Sequence, residues 1–239
     1  MANFNVHLNT AIITTGLGSA TLLSAQHIDL NSALWLWFLG SMGGLLPDID
    51  SDNSTSLDMI FNLFALSAVL IVLSFITTNL LIQISFIEII VLPLIVYCLM
   101  KYIIRPIFEK VTVHRGSCHS LLFLVFSTLM TTQITWQLSE QQTLNSALFA
   151  WLSGSFIFFG GMVHLLLDEI YSVDLSNIRI KRSFGTALKI ADFNNKFLTL
   201  LTVLAIAGLV YIAPPINEVI MKLSDWSQFK WYAFNVKHF

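Results

Sequence analysis

The sequence predicts an all-α protein, a polytopic transmembrane helix bundle with about seven apolar helices. Of its 239 residues, 56% are apolar and only 11% are charged, whereas soluble domains carry about 25% charged residues. The mean hydropathy is +0.76. The 12 basic and 14 acidic residues give a net charge of −2, so no basic surplus favours nucleic-acid binding. Two cysteines are too few for a framework of several disulfides.

Seven apolar runs account for the predicted helices, because a spanning helix needs about 20 mostly apolar residues. Two early runs, Leu8–Gln26 and Asn31–Leu46, are weaker: the first is rich in Thr, Ser and Gly, and the second is short. Small residues allow close helix contact in lipid, so we interpret this pair as inner helices; a re-entrant pair that does not span is the alternative. The five clearer runs are Met59–Ile76, Leu80–Met100, Ser120–Gln137, Leu144–Leu167 and Phe197–Ala213.

The chain changes character after Pro214 and Pro215. Residues 1–213 hold all the long apolar runs and show no internal repeat, so we predict a single transmembrane domain there. Residues 214–239 instead mix aromatic side chains with three lysines. This composition is typical of a helix that lies in the membrane interface, and we predict an amphipathic interfacial tail.

The basic residues orient the predicted bundle. Nine of the 12 Lys and Arg residues lie in the loops after runs four and six, whereas the loops after runs one, three and five contain none. By the positive-inside rule, the basic loops and the N-terminus face the cytoplasm. The first eight residues contain no Lys or Arg, which argues against a signal peptide. We therefore expect a multi-pass protein of the plasma membrane with a cytoplasmic N-terminus.

Histidine and aspartate residues gather at one end of this bundle. Polar groups at membrane depth are costly and often functional, and the predicted topology depends on Lys and Arg alone. Imidazoles and carboxylates that converge at one end predict a metal site. Taken singly, each group has a plainer interpretation as a solvated acidic loop, an interfacial anchor or a packed histidine. The residues at the cytoplasmic end are His7, Asp48, Asp50, His114, His119, His164 and Asp168.

Local spacing supports the metal interpretation. His164 and Asp168 are four residues apart at a helix end, so their side chains share one face. Two carboxylates in the Asp48–Asp50 turn repel each other unless a cation or proton offsets them. We expect Ser117 to cap the following helix, which would place His119 in its first turn.

These motifs resemble the LexA-binding, inner-membrane-associated hydrolases, also described as membrane-bound metal-dependent hydrolases. The resemblance extends to about residue 190, and Cys118 stands where the family typically has Thr; we expect this cysteine to pack rather than to bind metal. The residues that carry the resemblance are His7, Leu46-Pro47-Asp48-Ile49-Asp50, His114-Arg115-Gly116-x-x-His119-Ser120, His164-x-x-x-Asp168 and Arg182-Ser183-Phe184-Gly185-Thr186-Ala187.

The resemblance implies a metal-dependent hydrolase of the bacterial inner membrane, with residues 1–213 as the hydrolase-like domain. The family is thought to be distantly related to zinc-dependent phospholipase C and P1-type nucleases, which implies that the seven His and Asp residues above are metal ligands. Imidazole ligands favour one or two zinc ions, with manganese as the alternative. Arg115 would be a catalytic residue whose guanidinium binds a phosphate. We expect a phosphoester or lipid-derived substrate at the membrane surface.

Two other classes of function fit the same sequence. Intramembrane His and Asp residues also mark ion pathways, so an ion-binding transporter is one alternative. The other is a non-enzymatic membrane partner of a cytosolic protein, which would bind through the basic loops 101–115 and 174–196 and need no metal.

Overall fold

The computed structural model describes residues 3–50, 55–78, 85–107, 117–139, 143–174, 179–180 and 188–230. The chain forms two compact units. The first contains residues 1–47 and 117–239, and the second contains residues 48–116.

Every apolar run predicted from the sequence contains a helix. An additional helix, α8, lies in the predicted tail, and the all-α fold class is confirmed. The helices in chain order are α1 Phe4–Ser24, α2 Leu30–Gly43, α3 Thr55–Thr78, α4 Phe86–Leu99, α5 Leu121–Leu138, α6 Leu144–Ile170, α7 Lys196–Tyr211 and α8 Asn217–Ser224.

The described residues also contain two short helical turns and one pair of short strands. A 3-10 turn at Leu46–Asp50 follows α2, and a π-helical turn at Met100–Ile104 continues α4. Strand β1, Val173–Asp174, pairs antiparallel with β2, Arg179–Ile180. This two-residue pair does not alter the helical architecture.

Three helical segments of the described chain are long and apolar enough to cross a membrane. They are Phe86–Ile107, Leu121–Leu138 and Leu144–Ile170. Leu57–Leu70 and Lys196–Tyr211 are apolar but shorter. The structure therefore supports a helical membrane protein, while the number of helices that span, including α1 and α2, stays a prediction.

Helix α6 is the centre of the first unit. It packs against α1, α2, α5 and α8, and α5 in turn packs against α7. Glycines bring α2 and α6 into backbone contact: a Cβ at Gly160 would overlap the carbonyl oxygen of Gly40, and one at Gly43 would overlap that of Ile157. The close helix contact expected of small residues in the first two apolar runs is confirmed for α2.

Helix α8 belongs to the first unit and packs against its core. Val219 is only 2% exposed and joins a core that contains Leu36 of α2 and Leu148 of α6. On the other side of α8, Ile220 and Met221 are exposed. The predicted tail therefore contains a helix, while its amphipathic character, its place at the membrane interface and the boundary at residue 213 stay predictions.

In the second unit, α3 packs against α4. Arg105 forms an ion pair with Asp58 near the start of α3. Glu88 lies inside the apolar run Leu80–Met100, but α4 begins at Phe86, so Glu88 is in the first turn of the helix. Its carboxylate accepts a hydrogen bond from the Ser85 backbone N–H at 2.7 Å, and Ser85 Oγ accepts one from the Glu88 N–H at 3.3 Å. This capping box explains an acidic residue in an apolar segment.

Candidate metal centre

Four predicted ligands from three parts of the chain meet in the first unit. His7 comes from the first turns of α1, His119 from the residues just before α5, and His164 and Asp168 from the last turns of α6. All four side chains are buried, and none is more than 2% exposed. The i to i+4 spacing of His164 and Asp168 places both on the inner face of α6, as predicted.

Asp168 lies between two imidazoles. Its Oδ1 is 3.2 Å from His7 Nε2, and its Oδ2 is 3.9 Å from His119 Nε2. The rings of His7 and His164 stack with centroids 3.7 Å apart and planes 13° from parallel. The His119 ring meets that of His164 nearly edge-on, at 5.7 Å and 72°. One carboxylate is thus surrounded by three imidazoles.

A backbone carbonyl orients His164. His164 Nδ1 lies 2.7 Å from the carbonyl oxygen of Gly44. Because a carbonyl oxygen can only accept, Nδ1 carries the proton and the lone pair of the neutral ring is on Nε2. Histidines that bind metals typically donate their second N–H to such an acceptor. A residue with a Cβ would not fit at position 44, because that Cβ would overlap Ala11 of α1.

The start of α5 positions His119, although not as predicted. Ser120, and not Ser117, is the N-cap: its side chain accepts a hydrogen bond from the Phe123 N–H at 3.2 Å and donates one to the Ser117 carbonyl at 2.6 Å. His119 therefore precedes the cap and does not lie in the first turn. The N–H groups of the first two residues of α5 donate to the carbonyls of Lys189 and Ile190. These bonds satisfy donors that a helix start leaves unpaired.

The donor set fits a divalent metal. One ligand atom each from His119, His164 and Asp168 lie within 4.8 Å of one another. Nδ1 of His7 is buried and has no hydrogen-bond partner among the described residues. Nitrogen and oxygen donors of this kind suit zinc and, less well, manganese. A buried carboxylate ringed by imidazoles is also the arrangement in which a cation offsets the cost of burying charge.

The cluster described above contains only residues of the first unit. Asp48 is half-buried in the 3-10 turn and belongs to the second unit, as does Asp50. His114 and Arg115 lie outside the described residues. Cys118 is buried beside His119 in sequence. Sequence reasoning missed the Gly44 carbonyl, since a backbone acceptor carries no residue signature.

The fold and the cluster together define a helical membrane protein with a buried histidine–aspartate centre. A family model described as the YdjM inner membrane protein matches residues 1–213, and the chain belongs to this inner-membrane protein family. The inner-membrane part of the expected family is thereby supported, whereas LexA binding and hydrolysis stay predictions. No curated protein and no solved structure matches the chain.

Proposed function

We propose that this protein is a metal-dependent hydrolase of the inner membrane and that His7, His119, His164 and Asp168 hold its metal. The observation that supports the proposal most directly is the convergence of three buried imidazoles on one buried carboxylate. The family resemblance adds a phosphoester or lipid-derived substrate. The proposed roles of Asp48, Asp50 and His114 as further ligands, and of Arg115 as a phosphate-binding catalytic residue, rest on that resemblance.

Each residue of the cluster has a distinct task in this proposal. A bound zinc ion would supply Lewis acidity and lower the pKa of a bound water to about 7. The Gly44 carbonyl fixes the His164 tautomer, so that Nε2 carries the lone pair that would bind the metal. Stacking against His164 limits the rotation of His7. Asp168 supplies the negative charge that makes the pocket favourable for a cation.

We further propose that the protein is multi-pass and that this centre lies at the cytoplasmic side. The nine basic residues in two loops support this orientation. A reporter domain that folds only in the cytoplasm, fused to the N-terminus, should be active, whereas the same reporter after residue 27 should not. The reverse pattern would place the centre on the opposite side.

Hydrolysis is tested with the purified full chain in detergent and in phosphatidylglycerol vesicles. We expect slow cleavage of bis-p-nitrophenyl phosphate or of the lipid, loss of that activity with a chelator, and recovery with zinc. Asp168→Asn should abolish it, and Asp225→Asn, the same change in the tail, should not. A protein that retains zinc but cleaves neither compound would contradict the hydrolase assignment and favour the transporter alternative, in which zinc enters sealed vesicles. A protein that never binds metal would favour the non-enzymatic partner.

A further inference from the structure

A second polar site lies at the other end of α6 from the metal centre. Asn145, near the start of α6, lines a cavity of about 700 Å³ together with residues from the α1–α2 connection and from the tail. Asn145 and His164 are nineteen residues apart in one helix, which is about 28 Å at 1.5 Å per residue. That separation is close to the thickness of a bilayer core, so the two sites are distinct.

Two lysines from the tail line this cavity. Lys222 of α8 donates a hydrogen bond from Nζ to Asn145 Oδ1 at 2.6 Å, which holds its ammonium group at the cavity wall. Lys230 follows α8, and its backbone N–H donates to the carbonyl of Ser24 at the end of α1, at 2.9 Å. The tail thus closes over the end of α1 and brings both lysines to one cavity.

A buried histidine with an open hydrogen-bonding position faces the same cavity. His27 lines it and is only 9% exposed, and its Nε2 has no hydrogen-bond partner among the described residues. Its backbone is fixed by a Schellman turn, in which the His27 N–H donates to the Leu22 carbonyl at 3.1 Å. The turn requires φ of +58° at Gln26. A buried ring nitrogen without a hydrogen-bond partner costs free energy, and a ligand that bonds to it would remove that cost.

The acidic groups nearby are already engaged. Asp29 lines the cavity but caps α2, and hydrogen bonds from the Ser32 hydroxyl and N–H lower its pKa. Asp225, close to His27, accepts hydrogen bonds from Ser227, which lower its pKa as well. The residues that line the cavity therefore include two lysines and one aspartate that is committed to a helix cap, and their summed formal charge is positive.

We propose that this cavity binds a phosphate-bearing anion, with Lys222, Lys230 and His27 as its donors. Two ammonium groups and an imidazole N–H suit an anion with several acceptor oxygens. The cavity is larger than a single inorganic ion requires, and Trp226, whose ring meets His27 edge-on at 5.3 Å, is 45% exposed beside it. Tryptophan at a helix-bundle end is typical of the headgroup level, so the phosphate belongs either to a phospholipid headgroup or to a soluble compound.

This site is independent of the proposed hydrolase. Lys222 and Lys230 lie beyond residue 213, where the family match ends, and neither touches the metal centre. Binding at the cavity therefore requires neither the metal nor any cleavage reaction.

Binding is measured on the full chain with two probes. Calorimetry with inorganic phosphate, on protein in phosphatidylcholine nanodiscs, tests a soluble source. Native mass spectrometry with phosphatidylglycerol, against uncharged diacylglycerol, tests a headgroup. We expect saturable binding in at least one arm, and the arm that responds identifies the source.

Variants then locate the bound anion. Lys222→Gln should weaken binding at least tenfold, whereas Lys196→Gln, the same change at the start of α7, should leave it unchanged. Since Lys222 also anchors α8, Lys230→Gln and His27→Gln provide a second test in proteins whose thermal unfolding matches that of the native chain. Zinc content serves as the readout of the other site and should stay constant throughout. Absence of saturable binding in both arms, or equal binding by the cavity variants and Lys196→Gln, would overturn the proposal.

Discussion

At one end of α6, His164 and Asp168 are completely buried, whereas at the other end Asn145 is exposed on the wall of a cavity. The buried end collects three imidazoles and one carboxylate, and the exposed end collects two lysines and one histidine. The two ends of one helix therefore carry side chains suited to different ligands. The buried end suits a cation, and the exposed end suits an anion.

The difference follows from how the backbone packs. Near His164, glycines of α2 and α6 allow contact between the helices, so side chains there are excluded from water. Near Asn145, the short helix α8 buries Val219 and contributes Lys222 to the cavity lining. Desolvated ligands with fixed rings suit a metal, while flexible ammonium groups suit a phosphate.

The largest expected effect comes from changing one buried histidine at each end. His164→Gln should lower zinc affinity at least about 100-fold, because even residues that only orient metal ligands contribute about 10- to 100-fold. His27→Gln, the matched change at the cavity end, should leave zinc affinity unchanged. Titration against a competing chelator measures both, and equal affinities in the two variants would remove the distinction between the ends.

Helix contact at the metal end is tested by Gly160→Ala. The new methyl group would meet the Gly40 carbonyl, so we expect a loss of about 1–3 kcal/mol in the free energy of unfolding. Gly208→Ala, in α7, meets no atom within 4 Å and should gain about 0.5–1 kcal/mol. Denaturant unfolding in detergent measures both, and a neutral Gly160→Ala would show that the close approach of α2 and α6 is not required.

Substitutions at two helix caps distinguish an effect on stability from an effect on metal binding. Ser120 caps α5 beside His119, and Thr143 caps α6 at the cavity end, where it accepts from the Ser146 N–H. Replacing either with alanine should cost about 1 kcal/mol of stability. Only Ser120→Ala should also weaken zinc binding, since only that cap adjoins a proposed ligand. A similar loss of zinc affinity in Thr143→Ala would mean that general stability, rather than the position of His119, controls binding.

The smallest expected effect concerns the turn before the cavity. Gln26 adopts φ of +58°, which costs a residue with a Cβ about 1–2 kcal/mol. Gln26→Gly relieves that strain but increases chain entropy in the unfolded state by about 0.5–1 kcal/mol. We therefore expect a net gain of up to about 1 kcal/mol in thermal or denaturant unfolding, with phosphate binding retained. A loss of stability would show that the Gln26 side chain makes compensating contacts.

Much of the metal end could be predicted from the sequence, because periodicity and spacing encode it. Apolar runs locate the helices, and the four-residue spacing of His164 and Asp168 fixes a shared face. Topology alone placed His7 and His119 at the same end. The prediction of Ser117 as the cap of α5 is wrong, because two serines three residues apart are equally good caps by residue type, and the helix begins after the second of them.

The cavity end carried no comparable signal. Its donors His27 and Lys222 are far apart in the chain, and lysines in an interfacial tail are ordinarily interpreted as surface anchors. They meet only because Val219 docks on the core formed with Leu36 and Leu148, a contact that depends on tertiary packing. The role of Glu88 could not be predicted either. It caps α4 because the helix begins at Phe86, and the apolar run does not specify that start.

Elemental analysis of the purified full chain shows whether the buried cluster binds a divalent metal. After zinc loading and removal of excess metal, the native protein should retain at least one ion per chain, and Asp168→Asn should retain none at that cluster. A native protein without bound metal, or equal metal content in native and Asp168→Asn proteins, would contradict the account.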